Sequence, residues 1–329
     1  MDIEGRVVAL NAGANTQAAS SFFLPLDRVQ VALTRIQTAQ PVPRGTLETE
    51  FVHKPFAELR RLGLARATEA RVRAAYPNQT GLLVVEQVIP ESPASSKLEA
   101  GDILVEVDGK LIAEFVPLAA QLDAAVGEEV KVAIERGGSR IEHSVPVDNL
   151  HEITPDEYIE YGDGVFHKLS YQQARHIYRP MRGVYVANPG YVFGKAAIPR
   201  GSIVTGVDAE TIEDLDDLQR AIEAVPDDQQ ISVRYVSFDE PQSERQRIIN
   251  NDRSWFPAQR CRRDDALGEW PCKDLAAGPP KEPPQPSEGT TFPRQGEKHV
   301  QAISPSLVLV NFDMPYTVSG VADRYYYGT

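Results

Sequence analysis

The 329-residue sequence has only two cysteines, three methionines and two tryptophans, and it contains no long apolar run. No apolar stretch approaches the ~18 or more residues of a membrane span, so no transmembrane helix is expected. The first four residues, Met-Asp-Ile-Glu, differ from the basic start of a signal peptide. No export signal is therefore expected in the chain as given, and the compartment stays open.

Basic runs are also absent: 34 Lys and Arg stand against 47 Asp and Glu, for a net charge of −13. Phosphate contacts need clustered cations, so the sequence argues against nucleic-acid binding. Cys261 and Cys272 have no histidine between them, and a structural zinc site needs four ligands, so neither a metal nor another cofactor is expected. A disulfide between them is compatible with the spacing, but two free thiols is the favoured interpretation.

An internal repeat is present instead, at a constant offset. Gly101, Ile103, Val107, Asp108, Leu118 and Leu122 correspond to Gly201, Ile203, Val207, Asp208, Leu218 and Ile222. Matches that continue over strand, turn and helix positions indicate two copies of one domain. Each copy places a small-residue turn before a buried strand, a second turn and then a helix.

This order resembles the PDZ domains of the HtrA/Deg family of serine proteases, most clearly from Pro90 to Gly109. The resemblance implies an α+β, mainly β fold in which each PDZ-like domain is a small barrel or sandwich with helices. It also implies that peptides or unfolded protein segments bind by adding a strand at an open sheet edge.

Six further segments resemble that family, in part its branch with two protease-like domains, which includes fungal nuclear and plant plastid members. Residues 2–11 and 22–26 resemble the strands that follow the catalytic serine loop of a trypsin-like barrel, and residues 3–10 are predicted to be a strand with a Glu4-Gly5 turn at its start. Ser170–Arg175 and Trp255–Pro257 match the same branch. Residues 306–312 and 325–329 resemble the opening hairpin of a second, degenerate barrel, so a fragment that starts just after the catalytic serine is expected.

Five segments are predicted on this basis. They are the end of a protease barrel (1–43), a first PDZ domain (44–148), a second PDZ-like domain (149–252), a proline-rich linker (253–300) and the opening strands of a second barrel (301–329).

The first candidate site is a peptide groove in the first PDZ domain. The resemblance assigns its carboxylate-binding loop to Arg44, Gly45, Thr46, Leu47, Glu48 and Thr49. Leu118 and Leu122 lie on the apolar stripe of the following helix, where lining the groove and belonging to the core are equally compatible with the spacing. The family often has glycine in place of Glu48, whose charge at the mouth would oppose a terminal carboxylate. An internal peptide segment stays open as a ligand.

The second candidate site repeats the first in a weaker form. Its residues are Gly164, Val165 and Phe166 in the position of the loop, with Leu218 and Ile222 on the helix. Because this copy keeps core positions better than turn residues, a scaffold role is at least as well supported as peptide binding.

No serine, histidine and aspartate occur in the family's catalytic arrangement, so no catalytic residue is assigned and the chain alone is expected to be inactive. The leading hypothesis is the peptide-binding tandem PDZ region of an HtrA/Deg-like serine endopeptidase of protein quality control. Its expected partners are peptides, unfolded segments and the remaining protease domains of the same chain, through which oligomers could form. The alternative is a free-standing tandem-PDZ adaptor.

Overall fold

The computed structural model describes residues 3–15, 20–253, 255–280, 296–306, 310–313 and 325–328. The chain divides into two compact units, residues 1–154 and residues 155–329. Within the described ranges, no helix is long and apolar enough to cross a membrane. The predicted class is confirmed, since antiparallel sheets dominate both units and helices cover them.

The first unit contains ten strands and four helices among its described residues. The strands are β1 (Ala9–Asn15), β2 (Ser20–Pro25), β3 (Gly45–Thr46), β4 (Thr49–Pro55), β5 (Gly81–Val88), β6 (Ile103–Val107), β7 (Lys110–Leu111), β8 (Glu129–Arg136), β9 (Ser139–Pro146) and β10 (Asp148–Asn149). The helices are α1 (Leu26–Gln37), α2 (Phe56–Arg61), α3 (Arg66–Ala75) and α4 (Phe115–Ala124).

The amino-terminal strand begins later than the sequence predicts. Gly5 has a φ of 81°, so the turn predicted at Glu4-Gly5 is present, but the strand begins only at Ala9. Such a φ is incompatible with an extended strand. The strand is therefore β1, which pairs antiparallel with β2 through a register shift between Asn11 and Gly13.

The main sheet of the first unit has the order β4-β5-β6-β8-β9, with β7 paired to β6. One face packs under α4, through a cluster that includes Leu83, Leu104 and Val132. The other face packs under α2 and α3, through Leu59, Val72 and neighbouring residues. The residues of β5 and β6 alternate between these two clusters, which explains why both strands are apolar almost throughout. The sheet is covered on both faces, so its free surfaces are its edges.

The second unit begins with a similar set of elements. Its strands are β11 (Glu157–Tyr161), β12 (Gly164–Lys168), β13 (Val184–Asn188), β14 (Ile203–Val207), β15 (Glu210–Thr211), β16 (Gln230–Val236), β17 (Glu244–Asn250), β18 (Gln259–Arg262), β19 (Cys272–Asp274), β20 (Val310–Asp313) and β21 (Tyr325–Gly328). Its helices are α5 (Tyr171–Ile177), α6 (Gly190–Lys195), α7 (Leu215–Ala224) and α8 (Lys298–Ile303), followed by a 3₁₀ helix (Ser304–Ser306).

The repeat is visible in the elements, because β14 and α7 follow β6 and α4 at the same offset of one hundred residues. Asp108 and Asp208 both have a φ of 48° in the turn after the buried strand. Their Oδ1 atoms accept the N–H groups of Lys131 at 2.9 Å and Ser232 at 2.7 Å. Each aspartate thus ties its turn to the next long strand.

The sheet of the second unit is longer, with the order β17-β16-β14-β13-β12-β11-β18-β19 and β15 paired to β14. Because β12 and β13 are the counterparts of β4 and β5, β11 and β18 extend this sheet beyond the strand that forms the edge in the first unit. The two units therefore differ at the sheet edge.

The interpretation of two free thiols is wrong, since Cys261 and Cys272 form a disulfide. They lie directly opposite each other in β18 and β19, with Cα atoms 3.9 Å apart. Antiparallel pairing across a loop produces this proximity, which the sequence separation alone does not reveal.

Four of the eight prolines of the predicted linker lie between residues 281 and 295, outside the described residues. The hairpin resemblance at the carboxyl end is also only partly described. There, β20 and β21 pair antiparallel, whereas residues 307–309 and 314–324 are outside the described ranges.

Candidate peptide-binding site

The free edge of β4 is the first component of the candidate site. Among the described residues, β4 pairs only with β5, so no described strand pairs with the backbone groups on its other side. In an antiparallel pair, every second residue directs its backbone N–H and C=O groups towards the neighbouring strand. The N–H of Phe56 donates to the carbonyl of Thr80 at 3.0 Å, which fixes which residues of β4 face β5. By this alternation, Phe51, His53 and Pro55 direct their backbone groups outward. Proline is tolerated at an edge because its missing N–H would face solvent.

The loop before β4 is the second component, and it is held by its own hydrogen bonds. The Thr46 hydroxyl oxygen accepts the N–H of Glu48 at 2.9 Å, and the Thr49 hydroxyl donates to the carbonyl of Leu47 at 3.0 Å. Thr46, Leu47, Glu48 and Thr49 are all buried. The amide of Glu48 is therefore already satisfied within the loop.

Glu48 lies inside the loop rather than at its mouth, which corrects the expectation of an exposed repelling charge. Its side chain is 3% exposed, and its φ of 52° is a left-handed conformation that glycine adopts most easily. Burial, followed by hydrogen bonding and charge repulsion with Asp148, raises the pKa of Glu48 to about 7. The loop thus contains a carboxyl group that is largely protonated below neutral pH.

Gly45 connects the loop to α4 by a close backbone approach. A Cβ atom at this position would lie 2.1 Å from the carbonyl oxygen of Leu122, so only glycine fits. The N–H of Gly45 donates to Asp123 Oδ1 at 2.9 Å. Asp123 Oδ2 in turn accepts from Arg28 at 2.5 Å and lies 3.7 Å from Arg44. A second amide of the predicted carboxylate loop is therefore occupied by a carboxylate of the chain itself.

Asp123 and Arg28 were not identified from the sequence. Asp123 stands in the last turn of α4, where the helix dipole disfavours a negative charge. An acid at that position is a signal that a cationic or N–H partner lies nearby, and Arg28, Arg44 and Gly45 are those partners.

Leu118 and Leu122 belong to the core beneath α4, at 5% and 6% exposure. Two aromatic side chains nearby in the sequence are less buried: Phe51 of β4 is half-buried against the same cluster, and Phe115 is 50% exposed at the start of α4. Phe115 lies on the same apolar stripe of α4 as Leu118 and Leu122, so the spacing of apolar residues in the sequence already indicated it.

The predicted loop of the second unit is a tight turn between β11 and β12 rather than an open loop. Gly162 and Asp163 both have positive φ, as a two-residue hairpin requires. The carbonyl of Gly162 accepts the N–H groups of Tyr191 and Val192 at 3.0 and 3.1 Å, so the turn is fastened to α6. Gly164 and Phe166 of β12 are buried, and Val165 is half-buried.

The edge of β12 is closed by the chain itself. β11 pairs with β12 on the side that corresponds to the free edge of β4, and it is followed by β18. Leu218 and Ile222 of α7 are each 1% exposed within the core.

An arginine fastens this closure. Arg260 of β18 binds both carboxylate oxygens of Glu157 in β11, at 2.7 and 3.0 Å. It also contacts Asp216 at 2.5 Å and Gln219 at 3.0 Å on α7. Bidentate arginine–carboxylate pairs are among the stronger polar contacts in proteins. Among the residues described, no cluster of three or more His, Cys, Asp or Glu side chains is placed to hold a metal ion.

Comparison with known proteins gives matches to two domain families. Residues 84–136 match the PDZ domain family and residues 152–228 match a PDZ-like domain family. A pro-apoptotic serine protease nma111 of Neosartorya fischeri is 38% identical over 324 residues, which is 97% of this chain and 32% of that protein. A pro-apoptotic serine protease NMA111 of Coccidioides immitis is 39% identical over 97% of this chain and 31% of its own length. The chain thus spans about a third of the length of these relatives.

Among solved structures, the chain is similar to the HtrA-type protease AlgW with decapeptide, at 18% identity and a TM-score of 0.32. The match covers 44% of this chain and 42% of that one. A serine endoprotease from Yersinia pestis matches at 16% identity and a TM-score of 0.27, over 44% of each chain.

Proposed function

Because the chain belongs to the HtrA/Deg-like family of PDZ-containing serine proteases, we propose that its first PDZ domain binds extended polypeptide segments by strand addition along β4. The second PDZ-like domain serves as a scaffold whose equivalent edge is closed. The relatives align over 97% of the chain, which supports this origin over a free-standing adaptor.

One observation carries the proposal: in the part of the chain that the structure describes, β4 has a strand neighbour on one side only, whereas β12 has one on each side. Backbone groups at an open edge supply affinity in strand addition, and the flanking side chains supply specificity. Phe51 and Phe115 are the apolar side chains available for that second task.

The loop geometry favours internal segments over free carboxyl termini. The amide of Gly45 is taken by Asp123 and the amide of Glu48 by Thr46, so neither is available to a ligand carboxylate. Amidation of a bound peptide's carboxyl terminus should accordingly cost little affinity.

The test is direct binding of fluorescent apolar decapeptides, selected from a library, with dissociation constants of about 1 μM expected. Two versions of the best binder are compared, one N-methylated at every second residue and the other at the remaining residues. They distinguish strand addition from other modes of peptide binding. In strand addition only the ligand N–H groups that face β4 matter, so one version should lose at least about tenfold in affinity and the other should bind normally.

A protein variant provides the second arm. Phe115→Lys should weaken binding about tenfold because it replaces the exposed apolar side chain that we assign to peptide recognition by a charged one. Ile248→Lys is the matched control, since Ile248 is 62% exposed on β17 of the second unit. Equal effects of the two N-methylated peptides, or a folded chain with no binder, would overturn the proposal.

A further inference from the structure

A cavity lies between α1 and α4 of the first unit, apart from the free edge of β4. Its volume is about 240 Å³. Apolar side chains from both helices and from the segment before β3 form most of its wall, and Val31, Ala32, Val116 and Ala120 are among them. Four charged residues complete the lining: Arg28, Arg35, Arg44 and Asp123.

The charges in this lining do not balance. Three guanidinium groups face one carboxylate, in a chain whose net charge is −13. Asp123 is already shared between Arg28, Arg44 and the N–H of Gly45. One carboxylate compensates one cation, so the cavity keeps a positive excess beside an apolar wall.

Arg35 is the one arginine of this lining that forms no ion pair with a described carboxylate. Within the described ranges, its guanidinium makes one hydrogen bond, to the carbonyl of Pro41 at 3.2 Å. A guanidinium group has five N–H donors in a planar fork that matches a carboxylate. Arg35 can therefore bind an anion without giving up an ion pair.

We propose that this cavity binds a small amphiphilic carboxylate, with the anionic group at Arg35 and Arg44 and a short apolar chain between α1 and α4. Sites for drug-sized ligands occupy ~300–1,000 Å³, so a smaller cavity takes a shorter ligand. This inference goes beyond peptide binding, because the cavity is lined by α1 and α4 and by the segment between α1 and β3 rather than by β4.

The test uses isothermal titration calorimetry of the full chain with sodium octanoate, 1-octanol and octylamine, which share a chain length and differ in charge. Octanoate should bind with a dissociation constant of about 1 mM or tighter. Octanol should bind at least about fivefold more weakly, and octylamine should not bind, because only the carboxylate uses the arginines.

Two variants place the ligand. Arg35→Gln should weaken octanoate binding about tenfold, whereas Arg61→Gln, an exposed arginine on α2 away from the cavity, should leave it unchanged. Ala32→Phe should abolish binding by filling the space, with circular dichroism to verify folding.

If Ala32→Phe fails to fold, Arg35→Gln still decides the matter. Equal affinity for octanoate and octanol, unchanged binding by Arg35→Gln, or no octanoate binding to the folded chain would each overturn the proposal. None of these measurements involves a peptide, so they are independent of the test at β4.

Discussion

At the scale of single residues, Glu48 is the side chain with the clearest effect on stability. Its pKa is raised from 4.5 to about 7 by burial and by Asp148, so the folded state binds a proton more tightly than the unfolded state. The resulting stabilisation is complete below pH ~4.5 and is lost as the pH rises through ~7.

The first prediction follows from that sign. Urea unfolding of the first domain should show a stability that falls between about pH 5 and pH 8, by no more than about 3 kcal/mol. Glu48→Gln should flatten this dependence, because glutamine does not titrate. Glu86→Gln is the control, since Glu86 is exposed on the neighbouring β5. Equal pH dependence in wild type and Glu48→Gln would contradict this account of the loop.

At the scale of elements, the closure of β12 by β11 depends on the contacts of β18. Arg260→Ala would remove the ion pairs to Glu157 and Asp216 and leave two carboxylates close to each other. We expect the second domain to lose about 1–3 kcal/mol and the β11 amides to exchange faster with deuterium.

Arg262→Ala is the matched control for this prediction, because Arg262 lies on the same strand with 73% of its side chain exposed. Exposed ion pairs contribute at most about 1 kcal/mol, so this variant should behave like wild type. Similar exchange in β11 for both variants would show that Arg260 does not fasten the strand.

Local sequence patterns predicted the strands and helices that recur in the two units. They did not predict which distant strands pair with each other. The offset between Gly101 and Gly201 located β6, β14 and the helices after them, because turn and strand residues act over a few positions. The expected exposure of Glu48 was wrong and the role of Leu118 was left open, since burial depends on which face of an element meets the core. The pairing of β11 with β18 and of Cys261 with Cys272 depends on strand register, which a single sequence does not encode locally.

At the scale of the whole molecule, the two PDZ-like domains share one architecture and differ at one sheet edge. The edge of β4 has no described strand partner, whereas the equivalent edge of β12 is paired with β11. When two copies of a domain keep the same core but only one keeps a free sheet edge, that copy can bind a peptide and the other can serve as a scaffold. The chain is 38% identical to a relative named as a serine protease and spans about a third of that protein's length.

The most direct test of the central claim is amide hydrogen–deuterium exchange of the full chain with and without the selected decapeptide. We predict that the N–H groups of Phe51 and His53 become protected when the peptide is bound, because a new strand pairs with them. The amides of β11 and β12 should not change, since those strands are already paired on both sides. Protection that appears in β12, or a bound peptide that leaves β4 unprotected, would contradict the account.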